Sequence, residues 1–187
     1  MKKVISLLLA IAVIISLVPA VFADDLPTMT VEVDKTEVQP GDTITLTLSI
    51  DQTISNLNNW EWAIYFDKDA YVKTSGELEP GCTTSIGSTA GMVGDNVDIL
   101  GKNAVRVSAL SPSGDPVTLN AGKIATVTFM ATENITAENA RIEVKTEALP
   151  DYDTLEDNSV NLAGNIIDVT VVTTEEKGYT VSMGDNK

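Results

Sequence analysis

The stretch Thr43-Ile44-Thr45-Leu46-Thr47-Leu48-Ser49-Ile50, entered from Pro40-Gly41, alternates apolar and hydroxyl side chains without a fault. Successive side chains of an extended chain point to opposite faces, so a period of two reads as a strand with one face buried and one in water. Upstream, Met29, Val31 and Val33 share a face opposite Thr30 and Glu32. Downstream, Trp60, Trp62, Ile64 and Phe66 alternate with Asn59, Glu61, Ala63 and Tyr65. Ala104–Leu110, Lys123–Ala131, Ala140–Glu147 and Asn165–Thr173 are further strand candidates. Turn chemistry separates them at Pro80-Gly81, Ser113-Gly114-Asp115-Pro116, Ala121-Gly122 and Ala163-Gly164. No long stretch carries a 3.6-residue apolar stripe, and the spacing of strands and turns indicates an all-β sandwich or jelly roll. Glu79–Asp98, rich in Gly, Ser and Thr, reads as irregular, with room for one short strand.

The chain of 187 residues carries 12 Lys plus Arg against 27 Asp plus Glu, with no histidine and one cysteine. A net charge of −15 leaves no cationic footprint for phosphates and argues against a nucleic-acid partner. Without histidine there is no Ser-His-Asp or Cys-His nucleophile, and the commonest zinc ligand is missing. Cys82 stands alone in a Gly/Thr/Ser loop and reads as a passive thiol. Carboxylate pairs are plentiful, as a glycosidase would need, but no local motif marks one pair out. Gly-x-Ser-x-Gly, P-loop and His-Glu-x-x-His patterns are all missing, so the expectation is a binding module and not an enzyme.

Lys2 and Lys3, the apolar run Val4 to Val18 and the cleavage-like Val21-Phe22-Ala23 make the three-part pattern of a secretory signal peptide over 1–23. A spanning helix would want about 20 apolar residues, and Ser6, Ser16 and Pro19 interrupt this run. The expected organisation is a signal peptide, a sandwich over 24–173, and 174–187 as a C-terminal tail or the start of a further module. Secretion, with no membrane insertion after cleavage, follows from that reading.

Four segments in order resemble a cohesin domain, the receptor module of cellulosome scaffolds. Val38–Leu46 resembles the family's PGDTVTVPV strand, and Asn59–Asp67 resembles N-x-D-F-x-F-x-Y-D in register, with Lys68–Leu78 following its continuation loosely. Ala121–Phe129 is similar to D-G-x-F-A-T-I-T-F, and Ala148–Val172 to the last loop and strand. The resemblance implies a nine-stranded jelly-roll β-sandwich that binds dockerin, a calcium-binding partner module. Calcium would then belong to the dockerin, and this chain would need no cofactor of its own. The process implied is polysaccharide breakdown by an extracellular assembly.

The same resemblance marks Asn59 and Glu61, which share an outer strand face with Ala63 and Tyr65 by phase, and the loop residues Ser113 and Gly114, and these six are the partner-binding candidates. Asn59 matches the family pattern; Glu61 keeps its charge but is one methylene longer than the usual Asp. An acidic residue expected near Ala109 is absent, which departs from a standard dockerin surface. Read from the residues alone, this face is an ordinary solvated one, and it is the resemblance that brings recognition into question. Trp60 and Trp62, in phase with Ile64 and Phe66, read as core and not as a sugar-stacking platform, with indole N–H groups that need internal partners.

Asp151-Tyr152-Asp153-Thr154-Leu155-Glu156-Asp157-Asn158 is the densest acidic run. An EF-hand loop would want an oxygen ligand at Leu155, Gly at Glu156 and Glu at Leu162, so the pattern fails three times. A solvated loop or a looser calcium site are the readings left. Two alternatives stand beside the cohesin-like one: a carbohydrate-binding module that takes polysaccharide through exposed tyrosines (Tyr65, Tyr71, Tyr152, Tyr179), or a structural spacer of a surface protein.

Overall fold

The computed structural model describes residues 25–79, 83–85, 90–99, 102–111 and 113–172. The signal peptide over 1–23, the segment 174–187, the Pro80-Gly81 turn and Cys82 lie outside the described residues. The strands in chain order are β1 (Thr28–Val33), β2 (Glu37–Val38), β3 (Thr43–Ile50), β4 (Ile54–Leu57) and β5 (Asn59–Tyr65). They continue with β6 (Tyr71–Leu78), β7 (Thr83–Ser85), β8 (Ala90–Ile99), β9 (Lys102–Leu110) and β10 (Val117–Leu119). The last are β11 (Gly122–Ala131), β12 (Ile142–Ala148), β13 (Asn161–Ala163), β14 (Ile166–Ile167) and β15 (Thr170–Val171).

Two five-stranded sheets, β13-β1-β3-β11-β6 and β14-β12-β5-β9-β8, form the sandwich; the rim carries β4-β10-β7 and the pair β15-β2. Most pairings are antiparallel, while β1–β13 and β15–β2 are parallel. The described residues thus hold fifteen strand segments where nine strands are expected, and seven of these are pieces of two to four residues, two of them edge strands of the main sheets.

Period-two alternation does what the sequence demands. Ile44, Leu46, Leu48 and Ile50 of β3 are buried, and they meet Trp60, Trp62 and Ile64 of β5, Val105 and Val107 of β9, and Val127 and Phe129 of β11 in one core. Phe66 and Tyr71 pack about Phe129, with ring centroids 5.0 and 6.2 Å away. On the far face of the first sheet Thr45 and Thr128 hydroxyls meet at 3.2 Å.

Two expectations are corrected. The segment read as irregular, Glu79–Asp98, contributes β7 and most of the ten-residue β8. Its Gly-Met-Val-Gly-Asp-Asn composition shows no alternation, and the strand is defined by its pairing with β9, from Ala90↔Leu110 to Ile99↔Lys102, across a register shift between Val93 and Asn96. The expected strand Asn165–Thr173 is broken into β14 and β15, which pair with different partners, β12 and β2. At the turn before β14, Gly164 has φ +67°, and a Cβ there would press into the Val31 carbonyl oxygen of β1, so glycine is required twice over.

Candidate functional site

Strand β5 is the middle strand of the second sheet, flanked by β9 and β12. Its core phase is Trp60, Trp62 and Ile64; its outer phase is Asn59, Glu61, Ala63 and Tyr65. In register, Glu61 lies opposite Ser108 on β9, Ala63 opposite Arg106 and Lys145, and Tyr65 opposite Ala104 and Glu143. The outer face is therefore assembled from three strands, and the long side chains of the neighbours decide what β5 shows to solvent.

Glu61 and Arg106 form a two-pronged ion pair. Arg106 Nε donates to Glu61 Oε1 at 2.8 Å, and Arg106 Nη2 donates to Glu61 Oε2. The carboxylate side chain keeps only 12 % of its surface exposed, whereas the Arg106 side chain keeps 47 %. Next to this pair a hollow of about 410 Å³ is lined by Asn58, Asn59, Glu61, Arg106, Ser108, Leu110 and Ser111. Leu110 is 49 % exposed at its edge.

Ala63 and Tyr65 are not the exposed contacts that the alternation suggests. Ala63 is fully buried, with Arg106 and Lys145 directly opposite it on either side, and it clusters with Tyr65 and Ala104. Tyr65 is 9 % exposed, clustered with Ala63 and Ala104. Its hydroxyl donates to Glu147 Oε1 at 2.6 Å, and Lys145 Nζ sits 5.5 Å from the ring centroid. Burial first, and then the bond to Glu147, push the Tyr65 hydroxyl up to about 12. Lys145 also pairs with Glu143 at 3.5 Å. Tyr65 and Glu143 line a second hollow of about 400 Å³ at the other end of the strand, with Asp67, Lys68, Asn103 and Arg141.

The candidate residues therefore divide. Asn59 and Glu61 share the first hollow; Tyr65 belongs to the second; Ala63 lines neither. Ser113 and Gly114 are exposed beyond Ser111 and do not line the first hollow, although Ser111 does. Their loop is knitted locally: Ser113 Oγ donates to Asp115 Oδ2 at 2.6 Å and meets Ser111 Oγ at 3.0 Å, while Gly114 N donates to Ser111 O. Arg106 was not singled out by the sequence reading, yet a signal existed: it is the one charge in Ala104–Leu110, set on the polar phase.

The tryptophans lie in the core, as the phase requires, with rings 5.2 Å apart. Trp62 Nε1 donates to Thr146 Oγ1 at 3.1 Å, but Trp60 Nε1 has no acceptor among the described residues, contrary to the expectation that both be satisfied. Tyr71, expected as an exposed aromatic, is fully buried and donates to Ala140 O at 2.8 Å. The acidic run folds into a tight turn. Asp151 Oδ1 accepts from the backbone N–H groups of Thr154 and Asp153, both at 3.0 Å, and Asn56 Nδ2 reaches Asp151 Oδ2. The Thr154 N–H leads in holding the Asp151 carboxyl below its usual range. Asp157 Oδ1 accepts from Leu149 N–H. These carboxylates are engaged with their own backbone.

Comparison of the folded chain with solved structures gives a consistent answer. A chain of the CaDoc0917–CaCohA2 complex superimposes with a TM-score of 0.55 at 17% identity, covering 77% of this chain and 99% of that one. The type I cohesin–dockerin complex Coh-OlpC-Doc435 from Clostridium thermocellum gives 0.52 at 15%, covering 82% and 99%. The seventh ScaB type I cohesin from Pseudobacteroides cellulosolvens gives 0.51 at 13%, covering 82% and 97%. The fold is that of a cohesin module. At this level of identity the cohesin likeness is one of architecture, and β5, which carries the Asn59–Asp67 sequence resemblance, lies at the centre of one of its sheets. No family model and no curated protein matches the sequence. Among the described residues no helix is long and apolar enough to cross a membrane.

Proposed function

We propose that the chain is a secreted, non-catalytic cohesin-like module that binds a dockerin-bearing protein in an extracellular polysaccharide-degrading assembly. The observation that carries this reading is the outer face of β5 and β9. Asn59 and Glu61 stand there beside a hollow with an exposed leucine on its edge, on a fold whose solved examples include a type I cohesin–dockerin complex. A partner-binding patch wants this mixture: an apolar contact, an arginine, and amide and hydroxyl groups around them. Calcium, in this reading, is bound by the dockerin. A sugar-stacking strip is the weaker reading, since Trp60, Trp62, Tyr65 and Tyr71 are all buried.

The test is capture of secreted proteins by the immobilised chain, with calcium and with a chelator, beside an insoluble-cellulose control. Calcium-dependent retention of dockerin-bearing proteins is expected. Retention of the chain on cellulose with no dockerin captured would overturn the proposal, as would silence in both arms.

A further inference from the structure

Resting on that reading, we infer that Arg106, and not Glu61, sets partner specificity, and that the partner meets it with a side-chain carboxylate beside an apolar group seated on Leu110. A guanidinium has two edges that can grip a carboxylate with a pair of parallel N–H groups. Glu61 occupies the side edge, Nε and Nη2. The end edge, formed by one Nη1 hydrogen and the second Nη2 hydrogen, has no acceptor among the described residues, and the Arg106 side chain is 47 % exposed. Glu61 has the opposite situation: both oxygens are engaged and the side chain is largely covered. The residue that the sequence resemblance marks as the contact therefore serves to hold Arg106 in place across the sheet.

Desolvation makes the choice of partner strict. A partner that fills the hollow strips water from the end edge of Arg106, and a donor buried without an acceptor opposes binding more than a formed bond assists it. A planar carboxylate satisfies that edge with two bonds at once, which a lone hydroxyl or a lysine cannot. Leu110 lies on the same face of β9, four residues along, and lines the same hollow, so an apolar side chain of the partner is accommodated beside the charged contact. The formal charge of −15 does not oppose this contact strongly, because repulsion between exposed charges is screened beyond about 8–10 Å at physiological ionic strength.

The experiment uses the full chain and the dockerin-bearing protein captured as described above. Arg106→Ala is expected to weaken binding at least tenfold and Arg106→Lys by an intermediate factor, while Glu61→Gln, which loosens the clamp on Arg106 but keeps the guanidinium, weakens it by less than Arg106→Ala. Circular dichroism melts confirm that each variant is folded. Scanning the partner's Asp and Glu residues to Ala should find one whose loss matters with wild type but not with Arg106→Ala. Arg106→Ala binding within twofold of wild type, Glu61→Gln losing more than Arg106→Ala, or no coupled carboxylate in the scan would each overturn the inference while leaving dockerin binding intact. A wild-type chain that captures no dockerin refutes instead the reading on which it rests.

Discussion

Replacing Trp60 and Trp62 one at a time by Phe tests the hydrogen bonding of the core in this sandwich. Both rings are wholly buried and adjacent, so each substitution removes a similar area and leaves a similar void, and those losses largely cancel in the comparison. The N–H groups do not cancel. Trp62→Phe gives up the bond from Nε1 to Thr146 Oγ1, a net loss of about 1 kcal/mol. Trp60→Phe removes a buried donor with no acceptor among the described residues, which relieves about 1–3 kcal/mol. Trp62→Phe should therefore be the more destabilising, by about 2–4 kcal/mol. For a chain of this size 1 kcal/mol moves Tm by about 2–4 °C, so the two melting curves should separate by at least about 4 °C. Far-UV circular dichroism is the suitable probe, since it does not depend on the indole that each variant lacks. Coincident melts, or Trp60→Phe melting lower, would refute the assignment.

Gly164→Ala is expected to cost about 2–5 kcal/mol, combining a left-handed φ with crowding against the Val31 carbonyl, whereas Gly114→Ala, at φ +80° in open space, should cost about 1–2. Urea titrations giving equal losses would show that the close approach to β1 is unimportant. Tyr65 and Tyr71 both hold their protons up to about 12 in the fold, against 10.0 ordinarily. Their contribution is therefore complete below pH 10 and is lost as pH rises through 12. Tyr71→Phe should lower stability by about 1–2 kcal/mol at neutral pH, through loss of the bond to Ala140 O, and should flatten the decline above pH 10. An unchanged alkaline slope would count against the burial of that hydroxyl.

What the sequence could show was whatever one strand carries by itself. The alternation of β3 and β5 gave the fold class and placed Trp60 and Trp62 in the core, because strand phase is a local property. The exposure of Ala63 and Tyr65 was not legible in the same way. Their neighbours on the adjacent strands, Arg106 on one side and Lys145 and Glu147 on the other, lie about 40 and 80 positions further along and are settled only by cross-strand register. Strand β8 was hidden for a related reason: its glycines and polar residues have no face of their own, and β9 supplies the template. The Asp151 turn was visible as acidic, but the backbone bonds that engage its carboxylate depend on a fold that charge alone does not reveal.

The two parallel pairings described above join the first strands of the sandwich to its last: Thr28–Thr30 lies beside Asn161–Ala163, and Glu37–Val38 beside Thr170–Val171. A tension that enters before β1 and leaves after β15 pulls each of these pairs lengthwise in opposite senses. The bonds between them must then slip together instead of opening one after another like a zip. Stretching a single molecule along that line should meet one abrupt yield, and a gradual, low-force opening would contradict the pairing. A sandwich built this way keeps the outer face of β5 and β9 in shape while it is under load.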